Sequence, residues 1–313
     1  AQLHIQAEGL EGYDPDTLAA IFAAQDVGIE HQDALDVLSL TGGLPLYVAN
    51  AAQLTASHYD GNVRAFIDAI RAQTHIVETA QQLILERSFE SLSPGARDAA
   101  ALLGMCDVPI SDAEAAEFLS DLGSEAERAR ALRQLGRASM IVTSPQGIKL
   151  HDALRGIAGT YGTALNADRV SNALQRLHPM LMASLRKSAD IPRLTFMVRL
   201  LPRVGRSDAL IDLATSEIFY EQGNHAILLD TLIAASNDDT GTPLDRFWAM
   251  DAVAYWQSRD GGTPERELVD RMARLVDEHP DFESRERLNL LFKQLTIAAT
   301  DGDRGALERL SAV

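Results

Sequence analysis

"SEAERARALRQLGRASMIVTSPQGIKLHDALRGIA", residues 124–158, decides how the rest of the chain is read. Ser124 is a helix N-cap residue ahead of an Ala/Leu/Arg-rich run, which predicts a helix. "IVTSPQGIKL" then reads as two short strands around Pro145-Gln146-Gly147, a hairpin. The hairpin feeds directly into "HDALRGIAGTYG", which places His151 and Asp152 at the mouth of another helix.

Upstream of this stretch come three more helical segments. "VETAQQLILERSF" carries Leu83, Ile84 and Phe89 on one helix. "SLSPGARDAAALLGM" starts a second, with Ser93 as cap and Pro94 at the first position. "ISDAEAAEFL" is a third, capped by Ser111. Three helices followed by a β-hairpin is the winged-helix order, and it predicts such a domain over residues 74–164.

The stretch before it predicts a small helical bundle over residues 1–73. Leu3 and Ile5 alternate with His4 and Gln6 as a short strand. Asp14 or Asp16 can cap a helix around Thr17 to Ala24. "HQDALDVLSLTGG" is a second helix, ended by Gly42 and Gly43. Pro45 opens a third, with Leu46, Val48, Ala49, Ala52 and Leu54 on its apolar side, and "NVRAFIDAIRA" is a fourth. Residues 165–313 read as helical to the end, broken by loops such as "SADIP", "SNDDTGTP" and "DEHPDFES". "ATSEIFYEQGNHAILLDTLIAAS" and "LLFKQLTIAATDGDRGALERLSAV" look like tetratricopeptide-type hairpins, each an apolar helix, a Gly-Asn or Gly-Asp turn and a second helix. The expected class is therefore mostly α: helical bundle, winged-helix domain with a small β-hairpin, then an irregular α-solenoid. A generic helical bundle is the other reading of the last part.

Composition narrows the function. The chain has 313 residues, 46% of them hydrophobic, and a net charge of −17. Duplex binding needs a concentrated positive surface, and the overall field opposes it. Cys106 is the only cysteine, so a disulfide within the chain and a zinc-finger spacing are both excluded. No apolar run approaches the ~20 residues of a membrane span, and the first ten residues lack the features of a signal peptide. A cytoplasmic setting is expected.

Order and spacing carry the rest. "GGLPL", the helices, the hairpin, "IKLHDALRGIA" directly after it and the solenoid follow one another as in the carboxy-terminal half of a STAND-class signalling NTPase, the class that includes the NB-ARC proteins. "GGLPL" resembles that family's GLPL motif. "LSPGARDAAALLG", "ALRQLGRASMIV" and "IKLHDALRGIA" resemble its winged helix, which ends in the MHD motif, here with Leu150 in place of Met. The resemblance spans roughly residues 1–162, and the solenoid resembles the sensor arrays that commonly follow. It implies that Pro45 contacts the adenine of a bound nucleotide and that His151 contacts the β-phosphate of ADP, locking a resting state. An imidazole N–H is a suitable donor to phosphate oxygen, and Asp152 is expected to cap the helix start and orient rather than touch phosphate. It further implies ADP and ATP as cofactors, with Mg²⁺ in the complete protein, and a nucleotide-binding core as partner. A ligand on the solenoid and oligomerisation on release complete that picture.

The catalytic parts of such a switch are not in this sequence. It contains no G-x-x-x-x-G-K-[ST], and none of its three lysines, Lys149, Lys187 and Lys293, follows a glycine. "AILLD", residues 226–230, mimics a Walker B run but lies downstream of GLPL and inside an apparent helix. There is no HExxH or G-x-S-x-G, so neither a catalytic nor a metal site is expected. The opening residues resemble the last strand and helix that follow the family's nucleotide-binding core, so the chain is expected to begin where that core ends. Two other functions stay open: a nucleotide-independent helical scaffold for protein partners, and a winged-helix DNA-binding regulator using Arg128, Arg130, Arg133 and Arg137. Trp248, Tyr255 and Trp256 are expected to pack between solenoid helices.

Overall fold

The computed structural model describes residues 12–74, 77–187, 190–214, 225–238, 241–259 and 262–311. The expected strand at Leu3 and Ile5 and the expected Gly223-Asn224 turn lie outside these residues. Among the described residues the fold is mostly α, with one two-stranded sheet. The chain divides into two compact units, Ala1–Ala173 and Leu174–Val313.

In the first unit, α1 (Pro15–Ala23), α2 (His31–Thr41), α3 (Pro45–His58), α4 (Val63–Arg71) and α5 (Val77–Glu90) form a bundle. Asp14 caps α1 by accepting the Thr17 N–H, and Asn62 caps α4 by accepting that of Ala65. Gly42 ends α2 in the left-handed conformation, at φ 64°. Leu18, Phe22, Val37, Val48, Leu54, Phe66, Ile67 and Ile70 make the core, which Ala80 and Ile84 of α5 complete. On α3 the buried set is wider than one apolar stripe. Asn50, Ala51 and Thr55 join Leu46, Val48, Ala52 and Leu54, while Ala49 is only half-buried, because α1, α2, α4 and α5 all pack against this helix.

The same unit continues with α6 (Pro94–Leu103), α7 (Asp112–Phe118) and α8 (Glu125–Arg137). Ser93, Ser111 and Ser124 cap them as expected, the last two in capping boxes with Glu114 and Glu127. The hairpin is β1 (Ile141–Ser144) against β2 (Gly147–Leu150), antiparallel, with Ile141 opposite Leu150. Ile110, in the loop before α7, adds a bridge to Ile148 and so extends the hairpin by a third short segment. The chain then passes through a 3-10 turn, Asp152–Leu154, into α9 (Arg155–Gly162). Cys106 is buried in this part of the core, as a small apolar side chain would be.

Helix α9 is unusually weak on its own terms. Its sequence, RGIAGTYG, has glycine at 156, 159 and 162, and each helical glycine costs about 0.5–1 kcal/mol relative to alanine. A Cβ on Gly156 or Gly159 would meet nothing within 4 Å, so no neighbour within the chain demands them. Packing supplies what propensity lacks. Ala158 is fully buried, Gly104 sits so close that a Cβ there would lie 3.2 Å from the Ala158 Cβ, and Gly162 fits beside Ala101.

The second unit begins within α10 (Ala167–Leu185) and continues with α11 (Ile191–Arg203), α12 (Ser207–Ala214), α13 (His225–Ser236), α14 (Pro243–Ser258), α15 (Arg266–Glu278), α16 (Ser284–Asp301) and α17 (Arg304–Ser311). Most neighbours in sequence pack on each other, and α11 on α13, α12 on α14 and α14 on α16 give next-but-one contacts. That is the stacking of a solenoid. The expected Gly-Asp turn is present: Gly302 ends α16 at φ 68°. Residues 226–230 lie within α13, so Asp230 ends no strand. The aromatic cluster packs between helices. Phe247 is fully buried with its ring edge-on to Trp248, Arg285 stacks 4.3 Å over Trp248, and Trp256 donates Nε1–H to the Ala214 carbonyl at 2.7 Å.

Candidate functional site

His151 follows the last residue of β2. Its N–H donates to the carbonyl of Met140 at 2.8 Å, closing the base of the hairpin. Its backbone is extended, at φ −60° and ψ 134°, and it caps the 3-10 turn that follows. The cap is the ring itself, with Nδ1 accepting the Ala153 N–H at 3.3 Å. The ring proton therefore belongs on Nε2, which leaves that nitrogen as a donor.

Asp152 does something different from the capping role expected of it. The turn is a tight 3-10 one in which His151 already satisfies the amide, and the Asp152 carboxylate points outward, 67% exposed. There Lys149 Nζ lies 2.8 Å from Oδ1, and Arg155 Nη1 lies 3.7 Å away. The hydrogen bond from Lys149 holds the Asp152 carboxyl below the usual carboxylate range, reinforced by the charges of Lys149 and Arg155 and opposed by partial burial.

Pro45 sits at the first position of α3 with its ring exposed. The two glycines ahead of it have a steric reason. Gly42 takes φ 64° and Gly43 φ 70°, and a Cβ on Gly43 would lie 3.0 Å from the Gly12 Cα and 3.1 Å from the Tyr13 nitrogen. The Tyr13 N–H then donates to the Gly43 carbonyl at 2.8 Å. Gln81 of α5 fixes the same corner by donating to the Thr41 carbonyl at 2.9 Å.

The helices that carry the two motifs meet on one cavity of about 870 Å³. Tyr47, two residues beyond Pro45, forms part of its wall, and so does Ala153, two residues beyond His151. Pro45 and His151 themselves are not among the wall residues. Leu85 and Phe89 of α5, Arg97 of α6, and Gly156 and Tyr161 of α9 complete much of the lining. The volume lies within the range of small-molecule and cofactor pockets, about 300–1,000 Å³.

Arg97 and Tyr161 are held together in that wall. The Arg97 guanidinium stacks 5.4 Å from the Tyr161 ring centre, Phe89 meets the same ring edge-on, and the Tyr161 hydroxyl donates to Asp98 at 3.3 Å. Asp98 also accepts from Arg169 at 3.0 Å. Sequence reading missed Arg97, Asp98, Tyr161 and Gln81, since their partners lie between 40 and 71 residues away for Gln81 and for the Asp98 bonds. It also missed Asn50, whose signal was a polar residue inside the apolar run "LPLYVANAAQL". Asn50 is fully buried and donates Nδ2–H to the Leu46 carbonyl at 2.8 Å and to the Ala138 carbonyl at 3.1 Å.

No family model and no curated protein matches the sequence. Among solved structures the chain is similar to a Signal Transduction ATPase with Numerous Domains (STAND) protein with a tetratricopeptide repeat sensor from Pyrococcus horikoshii. The likeness has a TM-score of 0.60 at 15% sequence identity, and it covers 96% of this chain and 40% of that one. The chain thus shares the fold of part of that neighbour and spans less than half its length. Among the described residues, no helix is long and apolar enough to cross a membrane, and no group of three His, Cys, Asp or Glu side chains could hold a metal ion.

Proposed function

We propose that the chain is the regulatory and sensing part of an ATP/ADP-operated STAND signalling switch. In this reading residues 1–73, with α5 packed on them, follow a nucleotide-binding core, the rest of residues 74–164 form a winged helix, and residues 165–313 form a sensor solenoid. The observation that carries it is the convergence of the two motif helices on one cavity, through Tyr47 and Ala153.

The residues fit a nucleotide. Pro45 offers an exposed ring edge to a base. His151 keeps Nε2–H for a phosphate oxygen because Nδ1 is already occupied. The bound nucleotide would supply the charge that distinguishes two states of the switch, with the sensor ligand biasing the same equilibrium. Release of the resting state would then permit oligomerisation. The fold shared with part of that STAND neighbour supports the reading at the level of architecture.

The test is nucleotide retention by the protein that contains this chain together with a P-loop core. His151→Ala should speed release of ADP by about tenfold or more, the loss of roughly 1.4 kcal/mol from a charge-assisted hydrogen bond. Unchanged release from a folded variant would overturn the assignment. It would favour the scaffold reading, which has its own observation: Leu288 and Phe292, one turn apart on α16, are 52% and 59% exposed. An apolar pair of that kind suits a protein partner.

A further inference from the structure

We infer that Asn50 is a positioning residue that couples the helix of Pro45 to the segment carrying His151. The inference rests on the switch reading for its functional meaning and on local geometry for its existence.

Helix α8 ends in a Schellman turn. Met140 N–H donates to the Leu135 carbonyl at 2.9 Å, Ser139 N–H donates to the Gly136 carbonyl at 3.0 Å, and Ser139 takes φ 54° between them. That position normally belongs to glycine, so a serine there holds backbone strain. The turn leaves the Ala138 carbonyl facing away from its own helix, one of the orphan acceptors of a helix end. Asn50 supplies its donor from α3, across 88 residues of sequence. Two residues later Met140 is fully buried, and its carbonyl takes the His151 N–H. Asn50, Ala138, the strained turn, Met140 and His151 therefore form one continuous connection.

The connection is costly where it is made. Both amide hydrogens of Asn50 are used, and Oδ1 is buried with no donor among the described residues. Turning the amide over would place that oxygen against two carbonyls and is worse. An unsatisfied buried acceptor and a left-handed serine at one joint are the marks of a contact that is kept for something other than stability. A leucine at position 50 would remove the orphan oxygen outright.

The decisive measurement is residue-resolved amide exchange on the chain, comparing wild type with Asn50→Asp and Asn50→Leu. The aspartate keeps the shape and turns an oxygen toward the Ala138 carbonyl, while the leucine deletes both the donor and the orphan acceptor. In both variants the His151 amide should exchange about tenfold faster relative to those of Ile110 and Ile148, the scale of one lost buried hydrogen bond. Those two amides bond each other's carbonyls on the far side of the hairpin and serve as the internal reference. Exchange at His151 that rises only in step with Ile110 and Ile148 would overturn the inference and leave Asn50 as a general packing residue. Nucleotide release from the protein with its P-loop core separates this result from the switch reading. If Asn50 acts through His151, Asn50→Asp speeds ADP release and adds nothing to His151→Ala. Additive effects would overturn the coupling. A silent His151→Ala would remove the nucleotide reading while the exchange result still decides the positioning.

Discussion

Gly147 opens β2 against the carbonyl of Ile110, so close that a Cβ would stand 1.9 Å from that oxygen. Its φ of 128° adds a conformation that other residues rarely adopt. Gly147→Ala must therefore either displace the Ile110 segment or break the Ile110–Ile148 bridge. We expect a loss of about 2–4 kcal/mol, from backbone strain and broken hydrogen bonds together. Urea unfolding followed by far-UV circular dichroism checks this, and a variant within 0.5 kcal/mol of wild type, roughly the noise of a neutral surface change, would refute it.

In the second unit, Lys293 on α16 and Asp251 on α14 meet at 2.9 Å with only 15% of each side chain exposed. Breaking one partner of a pair this enclosed is expensive, whereas replacing both with apolar groups is often neutral. Lys293→Met should cost about 2–4 kcal/mol, and adding Asp251→Leu should recover most of it. Thermal melts of the single and double variants decide the matter. A double variant as unstable as the single one would mean that the carboxylate is not what the loss exposes.

Acid should unlock one corner of the bundle. Asp36 bonds Arg71 at 2.8 Å and Arg64 at 2.9 Å, and Arg64 also bonds Asp33. The hydrogen bond from Arg71, then that from Arg64 and the charges of both, holds the Asp36 carboxyl below its usual 3.8, with burial opposing. A depressed folded value means that the stabilisation is complete above the unfolded pKa and disappears as pH falls through the folded one. The stability gap between wild type and Asp36→Asn should thus be constant near neutrality and close below about pH 4, near the unfolded value. Melting temperatures from pH 7 to pH 3 measure it; a gap that widens in acid contradicts the sign.

Local chemistry made much of this fold legible. Ser93, Ser111 and Ser124 cap helices in sequence and in structure, Pro45 and Pro94 stand at first helical positions, and Gly42 closes α2. Each of these signals acts within a few residues, so the chain states it directly. Pro145-Gln146-Gly147 announced a hairpin for the same reason, although nothing local revealed that Gly147 is required by Ile110, 37 residues earlier in the chain. The candidate site was legible only as two separate motifs. What joins them, Asn50 to Ala138 and Arg97 to Tyr161, depends on helices brought together from distant parts of the sequence. Asp152 was misjudged because the helix it was expected to cap begins instead as a 3-10 turn in which a histidine ring does that work.

The three glycines of α9 give the segment after His151 a property of its own. Barely two turns of RGIAGTYG would not hold a helical shape in water, because nucleation is unfavourable and every glycine adds to the deficit. Its coiling is borrowed from Asp98, Gly104 and Ala101, which grip Tyr161, Ala158 and Gly162. Withdraw those neighbours and residues 155–162 melt to a string. The segment is thus its own gauge: whether it is coiled or slack records whether the His151 turn is seated against α6.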